Sequence, residues 1–273
     1  MFSIFSSKQE YKRPYTIGLA LSGGGARGFA HIGVLRALEE YGIKPDIIAG
    51  VSAGSVVAAY YAAGFSPEEM FSIYSHVKAS DILSLTVPSN GIFKFTGLCE
   101  FLKSTLKVGK IEDLKIPTII GASNLDNFQF TEFTSGSLAE RIVASCSIPV
   151  LIQPAVIDGI HYIDGGVLHN LPASSLRDKC DILIGIDVST IDRSTYKSNL
   201  ADTAYKAYRL MAHHNAKPDI DLCDIVVQLD EIAGTKEFDL NDVEDIVKKG
   251  YFKAKKVFTN SEIIQQVSNE FTK

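Results

Sequence analysis

The sequence predicts an α/β domain, with a mostly parallel central sheet flanked by helices on both faces. Three observations carry that expectation. Short β-rich runs alternate with helical stretches, a triple-glycine turn joins the first strand to the first helix, and a G-x-S-x-G turn joins the second strand to the second helix. Strands that alternate with helices pair in parallel, and the helices cover both faces of the sheet.

Taken in order, Tyr15–Leu21 reads as the first strand, and residues 30–41 as a helix with Val34, Leu35 and Leu38 on one face. Residues 46–50 form a second strand and 54–63 a second helix, closed by Gly64 at a C-cap position. Ser66-Pro67-Glu68-Glu69 combines an N-cap serine, proline at the first helical position and a capping-box glutamate, so a third helix starts there. Further strands are expected at 117–122, 155–163, 182–188 and 225–229. A second capping box, Ser137 with Glu140, opens the helix before Ser147. Residues 189–199 are polar and read as a long loop, followed by a helical stretch over 205–212. The last third holds a helix that begins with Asp242, Glu244 and Asp245 and carries Lys248, Lys249, Lys253, Lys255 and Lys256. Its charges complement the helix dipole and read as a solvated face.

Composition narrows the function classes. Of 273 residues, 46% are hydrophobic and 22% charged, enough apolar side chains to exclude a disordered chain. The four cysteines, Cys99, Cys146, Cys180 and Cys223, are scattered without C-x-x-C spacing and read as thiols, not as a metal site or disulfide framework. A net charge of −5 argues against nucleic acid as the main partner. The first residues lack a basic region followed by an apolar core, so a secretory signal is not expected and the cytoplasm is the expected location. Residues 47–65, however, carry no charge over 19 positions, long enough to nominate a membrane span. Gly50 and Gly54 interrupt that run, leaving a short buried strand and a helix too short to span. Membrane contact, if made, is then peripheral and transient.

Ser22-Gly23-Gly24-Gly25-Ala26-Arg27-Gly28 removes side chains where backbone N–H groups and a helix N-terminus can face negative charge. Gly23, Gly25 and Gly28 satisfy the dinucleotide fingerprint G-x-G-x-x-G, but that motif wants an acidic residue at the end of the second strand. Asp46 lies at its start instead. An oxyanion hole is the better reading. Gly50-Val51-Ser52-Ala53-Gly54 fits the strand-to-helix context of a nucleophile elbow, with Ser52 at its apex and the Ala53 N–H beside it. A serine needs a base. Of six histidines, His169 alone neighbours another suggestive motif, Asp164-Gly165-Gly166. Taken alone, that Asp-Gly most often marks a β-turn.

Together, the motifs at residues 23–28, 50–54 and 164–166 resemble the patatin-like phospholipase family, in its bacterial and neuropathy-target-esterase-like branch. The resemblance runs over residues 17–173, including ASCSIPVLIQP and YIDGGVLHNLP, and weakens over the last hundred residues. Val51 stands where many relatives carry threonine, at a position that points away from the chemistry. The resemblance implies a three-layer fold, with residues 15–273 as one hydrolytic domain after an extension at 1–14. It implies a Ser–Asp dyad, Ser52 as nucleophile and Asp164 as proton acceptor, with Gly24 and Gly25 as oxyanion donors. Arg27 would steady the glycine loop or attract anionic head groups. No cofactor and no metal are implied. An aspartate with an ordinary pKa near 4 is a weak base for an alcohol, so proton transfer would accompany attack on the ester.

The expected function is hydrolysis of phospholipid, lysophospholipid or related lipid esters. A thioesterase or transacylase using the same dyad, and a non-catalytic lipid- or nucleotide-binding module, are the alternatives. Residues 82–95, apolar and broken by Pro88 and Gly91, read either as an interfacial lid or as a loop buried over the sheet. Oligomeric state and head-group preference leave no mark in the sequence.

Overall fold

The structure, a computed structural model, describes residues 12–85, 91–191, 197, 199–235 and 242–271. Its strands are β1 (Tyr15–Leu21), β2 (Ile47–Val51), β3 (Ser84–Leu85), β4 (Phe93–Lys94), β5 (Thr118–Asn124), β6 (Phe130–Phe133), β7 (Ala155–Ile157), β8 (Ile160–Asp164), β9 (Cys180–Asp187) and β10 (Ile225–Gln228). Its helices are α1 (Phe29–Glu40), α2 (Ala53–Ala63), α3 (Pro67–Tyr74), α4 (Ala79–Ile82), α5 (Thr96–Thr105), α6 (Leu138–Cys146), α7 (Leu200–Ile220), α8 (Val243–Thr259) and α9 (Glu262–Phe271).

The main sheet runs β10-β9-β1-β2-β5-β8-β7. Pairing is parallel from β10 through β5 and antiparallel where β8 and β7 join. Alternation along β1 divides the interior into two cores. Ile17, Leu19 and Leu21 face the larger one, with α1, α2, α6 and α8, while Ala20 faces the smaller one, with Leu171, Leu183 and Ala216 of α7. That is the three-layer arrangement expected. Asp46, rejected above as a ribose ligand, is structural: its Oδ2 accepts the Thr16 and Ile17 N–H groups at 3.0 and 2.8 Å. On the larger face, α1 and α8 touch backbone to backbone at Gly250, where an added Cβ would come within 2.2 Å of the Ala30 carbonyl.

One junction decides the site. Ile120 and Gly121 of β5 pair with β2 on one edge and with β6 on the other, and Ala122 pairs with both β6 and Asp164 of β8. β8 therefore lies on the same edge of β5 as β2. It runs in the opposite direction and begins pairing where β2 stops. The C-termini of β2 and β8 meet head-on, at Val51 opposite Gly121 and Asp164 opposite Ala122.

Several expectations change. Residues 155–163 are not one strand but the hairpin β7–β8, turning at Asp158 (φ 52°) and Gly159 (φ 80°). Two successive left-handed residues make the tight turn that Asp-Gly favours. The Ser66–Glu69 capping box forms in both directions. That of Ser137 does not: its side chain makes no cap bond, and the Glu140 carboxylate that would close the box turns to Lys103 and Arg141. α7 extends through His213 and His214 to Ile220, past the expected end, so these histidines lie within it. Residues 192–196 and 198 of the expected loop, 1–11 of the expected extension, and 86–90 around Pro88 lie outside the described residues.

Candidate active site

Ser52 follows β2 directly and caps α2 with φ 53° and ψ −127°, a combination that costs an L-residue roughly 1–3 kcal/mol. Neighbouring serines hold it there. The Ser52 N–H donates to Ser145 Oγ at 2.8 Å, and the Ser145 hydroxyl donates to the Gly121 carbonyl at 2.6 Å. Ser55 Oγ donates to the Ser52 carbonyl at 2.6 Å. Neither flanking glycine, Gly50 nor Gly54, has positive φ. They provide room: a Cβ at Gly50 would lie 2.5 Å from the Gly54 carbonyl, and one at Gly54 only 2.3 Å from the Leu21 carbonyl. The strain is carried by Ser52 itself.

The glycine loop lies against this elbow. Gly24 is extended at φ 174°, Gly25 is left-handed at φ 56°, and a 3-10 turn over Gly25–Gly28 leads into α1. Gly23 N–H is taken by the Asn170 carbonyl at 3.1 Å, and Asn170 Nδ2 donates back to the Gly23 carbonyl at 3.3 Å. Among the described residues, the Gly24, Gly25 and Ala53 N–H groups donate to no protein acceptor. Gly28 packs so closely that a Cβ there would meet Ala53 Cβ at 2.5 Å. Arg27 is buried and donates through Nη1 to the Thr235 carbonyl at 3.1 Å. Of its two expected roles, that geometry suits steadying the loop, since its burial keeps head groups away.

Asp164 ends β8 fully buried. Its N–H donates to the Ser147 carbonyl at 2.9 Å, its carbonyl accepts from Ser123 Oγ at 3.0 Å, and its Oδ1 accepts the Gly166 N–H at 2.8 Å. Gly165 presses on the β2–β5 rung, where an added Cβ would lie 2.6 Å from the Gly121 carbonyl and 3.0 Å from Val51 Cγ1. Cys146 senses both residues. Burial and then the Asp164 charge push its thiol well above the ordinary range, while the Ser55 and Ser52 hydroxyls within hydrogen-bonding reach oppose the shift.

Among the described residues, no histidine hydrogen-bonds Ser52. His169, the alternative base, has Nδ1 3.3 Å from Asp219 Oδ2, which raises its pKa, and its ring packs on Phe130 at 5.0 Å. His31 is fully buried under the glycine loop. Its Nε2 donates to the Ser22 carbonyl at 2.9 Å, and burial pushes its pKa down to about 4, leaving it neutral at pH 7. His213 Nδ1 lies 3.2 Å from the Ser189 carbonyl.

A cleft of about 850 Å³, mouth included, opens on Ser52. Gly25, Gly28, Ala53 and Cys146 form the end near the serine, and Val57, Phe95, Leu98 and Phe101 extend an apolar wall away from it. Phe95, from the segment expected as lid or buried loop, is buried in that wall. The same segment is fixed by Ile92 and Phe93 N–H bonds to the Leu151 carbonyl at 3.1 and 2.9 Å. Lys94 of this segment is exposed, while Ile82 and Phe95 line the cleft. Among the described residues, no cluster of three or more His, Cys, Asp or Glu is placed to hold a metal ion. No helix among them is long and apolar enough to cross a membrane.

Sequence reasoning did not single out Ser145, Asn170 or Ser123. The first two fall in the family-like segments ASCSIPVLIQP and YIDGGVLHNLP, but nothing in a lone serine or asparagine distinguishes a bond to a distant backbone from a solvated side chain.

The family model described as patatin-like phospholipase matches residues 19–177. Lysophospholipase NTE1 of Debaryomyces hansenii is 32% identical over 242 residues, covering 82% of this chain and 15% of that protein. Patatin-like phospholipase domain-containing protein 7 of Mus musculus is 34% identical over 194 residues, covering 65% of this chain and 14% of that protein. The chain thus spans about 15% of the length of these curated relatives. In fold, it is similar to VipD from Legionella pneumophila, with a TM-score of 0.53 at 13% identity over 89% of this chain and 66% of that one. Because the family match covers more than half its length and includes both glycine turns and the Asp164 turn, the chain belongs to the patatin-like phospholipase family.

Proposed function

We propose that the protein is a serine acyl hydrolase that cleaves phospholipid, lysophospholipid or related lipid esters, with Ser52 as nucleophile and Asp164 as proton acceptor. The observation that carries this reading is the head-on meeting of β2 and β8 on β5, beside a cleft whose wall is apolar. An acyl chain lies along Val57, Phe95, Leu98 and Phe101, with its ester carbonyl at Ser52. Ser52 Oγ attacks the carbonyl carbon as its proton passes to Asp164, and the carbonyl oxygen takes up the developing charge. The N–H groups of Gly24, Gly25 and Ala53 receive that charge; each such donor is worth about 2.7–4 kcal/mol of barrier. Collapse expels the alcohol, which leaves with the proton held by Asp164. Water then attacks the acyl-serine through the same carboxylate. Neither step calls on a metal or cofactor. Substrate is reached by transient peripheral contact with lipid.

Labelling with a fluorophosphonate tests the reading. Wild type is labelled, Ser52→Ala is not, and Asp164→Ala loses hydrolysis of a lysophospholipid while His169→Ala retains it. Hydrolysis retained by Asp164→Ala and lost by His169→Ala refutes the dyad.

A further inference from the structure

We infer that Ser145 is a positioning residue that sets the nucleophile against its proton acceptor. The inference rests on the reading of Ser52 and Asp164 above and extends it to a side chain that touches neither substrate nor proton.

Ser145 occupies the last turn of α6 and is fully buried. A serine in a helix commonly donates to the carbonyl four residues earlier. Ser147, just beyond the helix, does so, its Oγ donating to Val143 at 2.8 Å. Ser145 instead reaches out of its helix with both capacities of its hydroxyl, accepting the Ser52 N–H and donating to the Gly121 carbonyl. Gly121 is the β5 residue paired with Val51, and Gly165 packs on its carbonyl. A continuous path results: Ser52 N–H to Ser145 Oγ–H to the Gly121 carbonyl, with the turn after Asp164 seated on that carbonyl. Two residues along, the Ser147 carbonyl receives the Asp164 N–H. One short stretch at the end of α6 therefore holds the main chain of both reacting residues.

Two consequences follow. The Ser52 amide is occupied and is not an oxyanion donor, which leaves that role to the glycine loop and Ala53. The strained Ser52 conformation also has a specific restraint, since neither flanking glycine bends to provide it. Loss of the hydroxyl leaves the buried Ser52 N–H without this acceptor and lets the elbow relax. A displacement near 1 Å between reacting groups costs on the order of 100-fold in rate.

The experiment measures kcat and KM on a soluble p-nitrophenyl ester, with active sites titrated to completion by a fluorophosphonate. Ser145→Ala is expected to lower kcat per titrated site by about 10- to 100-fold with KM changed less than about threefold. Ser145→Thr, which keeps the hydroxyl, recovers most of it. Ser145→Cys fills similar space with weaker hydrogen bonds and is measured in the same way should the alanine variant fail to fold. A merely structural serine would reduce the number of titratable sites and leave kcat per site unchanged, so wild-type kcat per site in the alanine or cysteine variant overturns the inference. Hydrolysis retained by Ser52→Ala overturns the underlying reading instead, which keeps the two failures distinct.

Discussion

Strain at the elbow can be measured by comparing two variants that lack the Ser52 hydroxyl. Ser52→Ala and Ser52→Gly both remove the hydroxyl, so its hydrogen bonds cancel in the comparison. They differ in what they ask of the backbone. Alanine must keep φ 53° and ψ −127°, at roughly 1–3 kcal/mol, whereas glycine adopts that region freely. Glycine's extra freedom in the unfolded chain returns about 0.5–1 kcal/mol of the difference. The glycine variant should therefore be at least as stable as the alanine variant, by up to about 2.5 kcal/mol, against the order at an ordinary position. Urea unfolding monitored by far-UV circular dichroism gives both free energies. An alanine variant more stable than the glycine variant would refute the claim that Ser52 stores strain.

Two further outcomes follow from the surroundings of the serine. His31 titrates near 4 when folded against 6.5 unfolded, so between these values the unfolded chain binds more protons and stability falls as pH falls. About 3 kcal/mol should be lost from this group between pH 7 and pH 4, and His31→Gln should flatten that part of the stability–pH curve; an unchanged curve in the variant counts against it. In the cleft, Val57→Phe fills space an acyl chain would occupy. Activity on long-chain esters should fall at least about tenfold more than on butyrate esters, and an equal loss on both would place the acyl chain elsewhere.

The parallel part of the fold was legible because its signals are local. β1, β2 and the α2 start were marked by period, glycines and turn chemistry within a few residues of each element, and the structure places them within a residue or two. Signals failed where a distant group outbid the local one. Ser137 had capping-box spacing, but the Glu140 carboxylate pairs with Lys103 and Arg141 instead of closing the box. Residues 155–163 had enough β-formers to read as one strand, and the Asp158-Gly159 turn inside them was overlooked. In the site, Ser52 announces itself through its glycines. Asp164 does not, because what sets it apart from any turn aspartate is the antiparallel arrival of β8 beside β2, more than a hundred residues away in sequence. Ser145 is silent for the same reason: its partners lie in β5 and at the elbow, not along α6.

The head-on junction of β2 and β8 also bears on how activity appears during folding. β1, β2 and the glycine loop are close in sequence and can associate early, but the dyad proposed above is incomplete until the antiparallel rung at Ala122 closes. Such long-range pairings form slowly because loop-closure entropy precedes their reward. If Ser52 and Asp164 act as proposed, a refolding population recovers helix content and the parallel strands before any hydrolysis, and turnover becomes a clock for the arrival of one particular strand.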